Sequence, residues 1–267
     1  MQTKRLTEGS APLQGELWGA RAADYVDFQE PQLRPLYDHA IHQIDIGQHS
    51  AVLDVGCGPG GFCSRAADAG ATVVGIDASR AHVDIARARV PAGRFDVGDM
   101  QFLPYDDESF DVVTGFNSFQ YAADVVAALS EARRVTKPSG TVHVVVWGRE
   151  EHTELTAALR AIRPLLPPAP SDAPGPFALS YPGALEAVID QAGLAPNDYG
   201  YIEVTLDYPN ETALLKGNGS NGPVVLAERT SGQAAVVQAV LGALAPFRNA
   251  SGAYRIETEW RYVTAKA

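Results

Sequence analysis

Short apolar runs alternate with helix-patterned stretches through residues 50 to 150. Val52 to Val55, Ala71 to Ile76, Arg94 to Gly98, Phe110 to Asn117 and Thr141 to Trp147 predict five strands. Between them, Phe62 to Ala69, the segment starting at Ser79 and Ala122 to Thr136 have helix-forming character. Strand and helix in alternation predict an α/β fold with a mostly parallel sheet. Farther on, Tyr199 to Leu206 and Tyr254 to Thr264 alternate as strands, which brings the sheet to seven, the last expected antiparallel.

The first strand runs directly into a glycine turn, Val52-Leu53-Asp54-Val55-Gly56-Cys57-Gly58-Pro59-Gly60-Gly61, and a helix follows. Such a strand–turn–helix lets the backbone approach a ligand closely. Gly56, Gly58 and Gly61 satisfy the G-x-G-x-x-G spacing of dinucleotide binders. Asp54, two residues before the first glycine, argues against a pyrophosphate, whose oxygens a carboxylate repels. It suits a ligand carrying positive charge, such as S-adenosylmethionine (SAM), with its sulfonium and ammonium. NAD and a purely structural turn are the competing readings.

Asp77 closes the second strand, 77 − 56 = 21 residues past the first glycine. A carboxylate about 20 residues on grips a ribose diol in nucleotide-binding folds. Either ligand contains ribose, so Asp77 supports a nucleoside without choosing between them; it could also cap the next helix. After the third strand, Asp99 can accept from an adenine amino group, and Met100 offers a soft packing surface.

With these residues assembled, the chain resembles the class I SAM-dependent methyltransferases. Asp54 to Gly60 is similar to their first motif, Asp77 to their ribose-binding acid, and Gly98-Asp99-Met100 to their adenine-binding segment. Leu103-Pro104-Tyr105 through Ser109-Phe110-Asp111-Val112-Val113 resembles the "LPF…SFDVV" stretch of the branch related to ubiquinone and menaquinone methyltransferases. Arg133-Arg134-Val135 with Lys137-Pro138-Ser139-Gly140-Thr141 resembles that branch's "RVLKPGG" turn, with Ser139 standing where the first glycine is usual. The resemblance covers about residues 50 to 148. It implies a Rossmann-like sheet with helices on both faces, SAM as cofactor with S-adenosylhomocysteine as product, and methyl transfer as the activity. It places cofactor contacts at Asp54, Gly56, Cys57 and Gly58, at Asp77 and Ala78, at Asp99 and Met100, and at Phe116 and Asn117. Trp18 and Tyr25 are expected to close over the methionine arm, since a seven-residue spacing sets both on one helical face.

The flanks read as coverings of that core within a single domain, 1–267. Residues 1–50 form an N-terminal helical cap, with helices over Leu17 to Tyr25 and Gln32 to Ile46 broken at Pro31 and Pro35. Residues 51–150 are the SAM-binding core. Residues 151–198 hold a lid segment: a helix over Glu151 to Ile162, a proline-rich loop over Pro164 to Pro176, and a helix over Pro182 to Ala192 ended by Gly193. Residues 199–267 carry the last two strands around a 208–250 insertion. There, helical pieces Glu211 to Leu215 and Gly232 to Leu244 flank a flexible Gly217-Asn218-Gly219-Ser220-Asn221-Gly222. The insertion is read as a substrate lid, with a mobile surface loop as the alternative.

The acceptor side is less legible. Displacement at a sulfonium needs alignment and exclusion of water more than a fixed triad. Phe119, Gln120 and Tyr121 follow the fourth strand and Trp147 ends the fifth, at the strand ends where ligands of such sheets bind. Their aromatic character fits a flat or lipophilic small molecule; core packing is the alternative for each. Tyr121 and His152 are the candidate catalytic residues, His152 as a base just past the fifth strand. His143 is expected to be packed mid-strand, and His39 and His42 to lie on the surface. Cys57 and Cys63 have neither zinc-pair spacing nor a second pair, so buried thiols in a reducing cytosol are expected and no metal is assigned.

A net charge of −11 without a basic stripe argues against a nucleic-acid substrate. The chain shows no apolar run long enough to span a membrane and no apolar signal region near Met1 to Ser10, so a cytoplasmic location is expected. Methyl transfer to a small molecule at O, N or C is the favoured function. A SAM-binding enzyme that no longer transfers methyl, a protein that binds SAM only for structure, and a nucleotide-dependent oxidoreductase are the alternatives. The oligomeric state stays open.

Overall fold

The computed structural model describes residues 9–168 and 175–267. Among these, seven strands, β1 (Ala51–Val55), β2 (Thr72–Asp77), β3 (Arg94–Val97), β4 (Phe110–Phe116), β5 (Thr136–Trp147), β6 (Ala195–Tyr208) and β7 (Tyr254–Lys266), form one sheet. Their order is β3-β2-β1-β4-β5-β7-β6. The first five run parallel, and β7 is antiparallel to both neighbours, as the pattern predicts.

Helices α1 (Ala11–Gly19), α2 (Ala22–Asp24) and α3 (Arg34–Ile44) precede the sheet. Helices α4 (Gly61–Asp68), α5 (Arg80–Arg89) and α6 (Val125–Val135) connect the parallel strands, and α7 (Thr156–Ile162) and α8 (Ala184–Gln191) lie between β5 and β6. The β6–β7 connection holds α9 (Glu211–Gly219), α10 (Gly222–Ser231) and α11 (Gln233–Leu244). No described helix is long and apolar enough to cross a membrane.

Alternation along the central strands feeds a core on each face. Val52, Val145 and Trp147 point to one with Leu36, Phe62 and Trp260, while Leu53, Val144 and Val146 point to the other with Leu129, Leu185 and Ile189. The strand order reverses between β1 and β4. There the adjoining connections leave on opposite faces, and a crevice opens beyond the carboxyl ends of the strands. Side-chain caps start the helices that border it. Ser79 Oγ accepts from His82 N at 3.2 Å for α5, and Asp124 Oδ1 from Ala127 N at 3.0 Å for α6.

Several boundaries differ from expectation. Leu17 to Tyr25 is not one helix: α1 ends at Gly19, Arg21 is non-helical, and Tyr25–Gln29 forms a π-helical turn. Pro35 does not break α3 but sits in its first turn, where the missing N–H has no partner to lose. Glu151 to Ile162 divides into a 3₁₀ turn, Glu150–His152, and α7. Met1 to Glu8 of the N-terminal segment and residues 169–174 of the proline-rich loop lie outside the described residues.

The largest difference is in the insertion. Its Gly217 to Gly222 segment is not a linker: Gly217 and Gly219 end α9 and Gly222 begins α10. A Cβ on Gly217 would stand 2.6 Å from Tyr208 Cε1, one on Gly219 2.8 Å from Arg21 Nη1, and one on Gly222 2.8 Å from Trp18 Nε1. These glycines permit close packing of the insertion onto the cap. Composition alone cannot separate that use from flexibility.

Candidate active site

The loop after β1 wraps the end of β2. Gly56 N and Cys57 N both donate to Ile76 O, at 2.8 and 3.0 Å. Gly56, Gly58 and Gly60 hold φ of 75°, 53° and 82°, the left-handed region that suits glycine. A Cβ on Gly56 would collide with Ser118 Cβ at 2.4 Å, whereas nothing lies within 4 Å of one on Gly58. Gly56 serves packing, and Gly58 presents bare backbone to open space.

That space is a cavity, and every sequence-predicted cofactor residue except Asp54 and Cys57 lines it. At the end of β2, Asp77 Oδ2 accepts from Gly58 N at 2.9 Å and Oδ1 from Ser79 N at 2.7 Å. The carboxylate is thereby fixed against the loop, and Ser79, not Asp77, caps α5 through its side chain. Past β3, Asp99 Oδ1 accepts from Gln101 N at 2.9 Å and Oδ2 from Ala11 N at 3.2 Å, which draws the start of α1 over that end of the cavity. Asn117, just past β4, has φ 52° and donates its N–H to Val145 O at 2.8 Å. Phe116 packs on Tyr37 and Phe62, with centroids at 5.0 and 4.6 Å.

The cap supplies the remaining wall. Trp18 meets Tyr25 and Tyr121 edge-on, with centroids at 6.1 and 5.3 Å, and Tyr25 lies 5.2 Å from the His82 ring. Trp18 and Tyr25 do reach the cavity together, but from separate segments rather than one helical face. Glu30 ties this cap to the loop: Oε1 accepts from Gly61 N at the α4 N-terminus at 2.8 Å, and Oε2 from Arg89 at 2.6 Å. Burial, reinforced by Glu30 and Asp77, holds the Tyr25 phenol protonated well above its ordinary range.

Asp54 corrects the sequence picture of a carboxylate facing the ligand. It is 2% exposed beneath the loop, where Oδ1 accepts from Thr114 Oγ1 at 2.8 Å. Burial pushes its carboxyl up to about 7, opposed by the Thr114 hydrogen bond and aided by Asp77. Asp54 therefore sits behind the loop and ties β1 to β4 through Thr114. Cys57 and Cys63 are free and buried, and burial raises both thiols, so they pack as small apolar groups.

On the acceptor side only Tyr121 lines the cavity. Phe119 is fully buried in the core on the α6 side. Trp147 stacks on Trp260, centroids 4.2 Å apart, within the other core, and Gln120 donates to Asn117 Oδ1. His152 is outside the lining, half exposed, with Nδ1 3.4 Å from Glu259 Oε2. His143 is fully buried as expected, bonded to Thr264 Oγ1 at 2.9 Å, and burial takes its imidazole down to about 3. His42 is exposed, but His39 is half-buried with its ring 4.7 Å from Tyr262.

Sequence reasoning missed Ser10, Ala11, Gln14, His82 and Ser118 in the lining. Two had a signal. Gln14 lies one turn before Trp18 and accepts its indole N–H at 3.1 Å, and His82 lies three residues after the cap of α5. His82 is 2% exposed, its Nε2 has no partner among the described residues, and burial lowers its pKa against the pull of Asp77.

Among the described residues, the lining contains two aspartates and neither lysine nor arginine. Such a wall repels a diphosphate and accommodates a cation beside a nucleoside. Four aromatic rings in the lining, Trp18, Tyr25, Phe116 and Tyr121, favour a sulfonium further. The donor set fits SAM: carboxylates for ribose and adenine amino group, open glycine backbone, and an aromatic rim.

Comparison with known proteins agrees. Residues 53–144 match the family model described as a methyltransferase domain. A malonyl-[acyl-carrier protein] O-methyltransferase of Erwinia billingiae is 37% identical over 130 residues, 49% of this chain and 51% of that one. The chain spans about half the length of the curated relatives it matches. Among solved structures, a putative methyltransferase from Bacillus halodurans superposes with a TM-score of 0.58 at 16% identity, covering 86% of this chain and 97% of that one. The [4+2]-cyclase SpnF does so at 0.54 and 21% identity, covering 86% and 80%. At these identities the superpositions establish the fold. Residues 53–144 thus match a methyltransferase domain within the fold of the class I methyltransferases, and the cofactor of that class is SAM.

Proposed function

We propose that this protein methylates a small-molecule acceptor, an aromatic or lipophilic metabolite, at O, N or C. The observation that carries this reading is one cavity in which Asp77, Asp99 and the open Gly58 backbone face the aromatic edge of Trp18, Tyr25 and Tyr121. The malonyl-[acyl-carrier protein] relative supports a metabolic rather than a nucleic-acid acceptor, as does the net charge of −11.

When bound, SAM supplies an electrophilic methyl on a sulfonium leaving group. The chain's residues then have to hold, align and keep the site dry. In this reading Asp77 grips the ribose hydroxyls and Asp99 accepts from the adenine amino group. Asn117 and Phe116 border the methionine arm, and Trp18 and Tyr25 close over it. Alignment of this kind can lower a barrier by about 7–11 kcal/mol. Tyr121 serves as a positioning donor: burial, against hydrogen bonds from Trp147 and Asn117, pushes its hydroxyl up to about 12, so it keeps its proton at neutral pH. His152, paired with Glu259 outside the cavity, has no part in this scheme. The 208–250 insertion acts as a lid by clamping the cap through Arg21, which donates to Gly219 O at 2.9 Å and to Glu228.

Incubation with methyl-tritiated SAM tests the proposal. The acceptors offered are a panel of phenols, amines and carboxylic acids with lipophilic bodies, and, separately, bulk RNA and protein. Label entering small molecules, and lost in Asp77→Asn, is expected. Label entering RNA or protein alone would overturn it.

A further inference from the structure

A second cleft, of about 320 Å³, lies between the cap and the insertion and shares no lining residue with the cofactor cavity. One wall is apolar: Leu215 of α9, Val224 of α10, and Val236, Val237 and Val240 of α11. Its rim carries two ion pairs, Arg21 with Glu228 and Lys216 with Asp24 at 3.2 Å. Asn218 also lines the cleft, 3% exposed, and its Oδ1 has no hydrogen-bond partner among the described residues.

Each of these features constrains what belongs there. Two self-neutralised pairs leave no net charge to recruit an ion, and a charged ligand would have to break a pair or bury its own charge unpaired. The leucine and valine wall favours hydrocarbon. Asn218 Oδ1 is closed off from solvent as it stands, and a turn of the side chain toward the cleft would let an incoming N–H or O–H remove the standing cost of a buried carbonyl without a donor. The volume falls at the lower end of small-molecule pockets, roughly 300–1,000 Å³. We propose that this cleft binds a neutral, largely apolar small molecule carrying one hydrogen-bond donor, with the donor at Asn218 and the hydrocarbon on the α11 valines. The inference does not depend on methyl transfer. It gives the three-helix insertion, far longer than a β6–β7 turn requires, a binding wall of its own.

The probes are n-octanamide, octanoate and octylammonium, titrated into the full chain with valine and leucine methyls isotopically labelled for NMR. Octanamide is expected to shift the Val236, Val237 and Val240 methyls saturably. Octanoate and octylammonium are expected to bind at least about tenfold more weakly because each must shed water from a full charge. Val240→Trp, which fills the cleft, should abolish the shifts while S-adenosylhomocysteine binding persists, and Asn218→Leu should weaken octanamide several-fold. Should Val240→Trp not fold, Val237→Phe at the half-buried part of the wall replaces it. No saturable shift with octanamide up to its solubility, shifts that survive the filled cleft, or charged probes binding as tightly would each overturn the proposal.

Discussion

Trp18, from the N-terminal cap, stands edge-on to Tyr121, from the turn after β4, with ring centroids 5.3 Å apart and planes at 68°. The contact joins chain segments separated by the whole cofactor loop, and it closes the cavity over the strand ends. Removing the indole in Trp18→Ala should weaken SAM binding about 5- to 30-fold, the equivalent of about 1–2 kcal/mol for an aromatic face lost from a cation site. Tyr121→Phe keeps the ring and should leave binding within about twofold while lowering turnover. Calorimetric SAM titrations of both variants, with turnover of Tyr121→Phe, check the split.

Asp54 should make stability fall with rising pH. Its carboxyl sits at about 7 when folded, against an ordinary 3.8, so the native state holds a proton that the unfolded chain releases. The contribution is fully present below about 3.8 and is lost as pH climbs to about 7. Over that window the loss is at most about 4 kcal/mol, since each tenfold change in proton affinity is worth about 1.4 kcal/mol. Asp54→Asn removes the titration. Urea unfolding of both proteins at pH 5 and pH 8 should show the variant gaining on the parent as pH rises. A pH-independent difference would remove Asp54 as the titrating group.

Ser139 adopts φ 65°, a left-handed conformation, in the turn where a glycine is usual. A side chain there costs about 1–2 kcal/mol, partly offset by the greater unfolded-state entropy of glycine. Ser139→Gly should therefore stabilise the protein by about 0.5–1 kcal/mol. Chemical denaturation at neutral pH measures the change; a lower midpoint would contradict it.

Two glycine substitutions should fail in opposite ways. At Gly217 a methyl meets Tyr208 Cε1 at 2.6 Å and Phe28 O at 3.2 Å, so Gly217→Ala should cost about 1–3 kcal/mol of stability through overpacking. At Gly58 a methyl meets nothing within 4 Å but enters the cavity at φ 53°. Gly58→Ala should cost about 1–2 kcal/mol of backbone strain and lower SAM affinity at least tenfold. Melting curves paired with SAM titration separate the two.

The core was legible because local chemistry and fold agree there. Val52 to Val55 can only be a buried strand, and Gly56, Asp77 and Asp99 end strands whose carboxyl ends meet at one crevice. The cap was half legible: Trp18 and Tyr25 were found, but the break at Arg21 was not, because Arg21 leaves the helix to bond Gly219 and Glu228 in a distant insertion. Asp54 was legible as a charge but not as a depth, since burial beneath Gly58 depends on packing of β4 and α4. Phe119 and Trp147 carry no mark distinguishing a core ring from a cavity ring. Ser118 reaches the cavity by being next to Asn117, which no spacing rule announces.

Isothermal titration of the unmodified protein with SAM and, separately, with NADH decides which ligand the cavity takes. A cavity walled by Asp77 and Asp99 and free of lining cations predicts saturable heat with SAM and none with NADH. Heat with NADH and silence with SAM would contradict it.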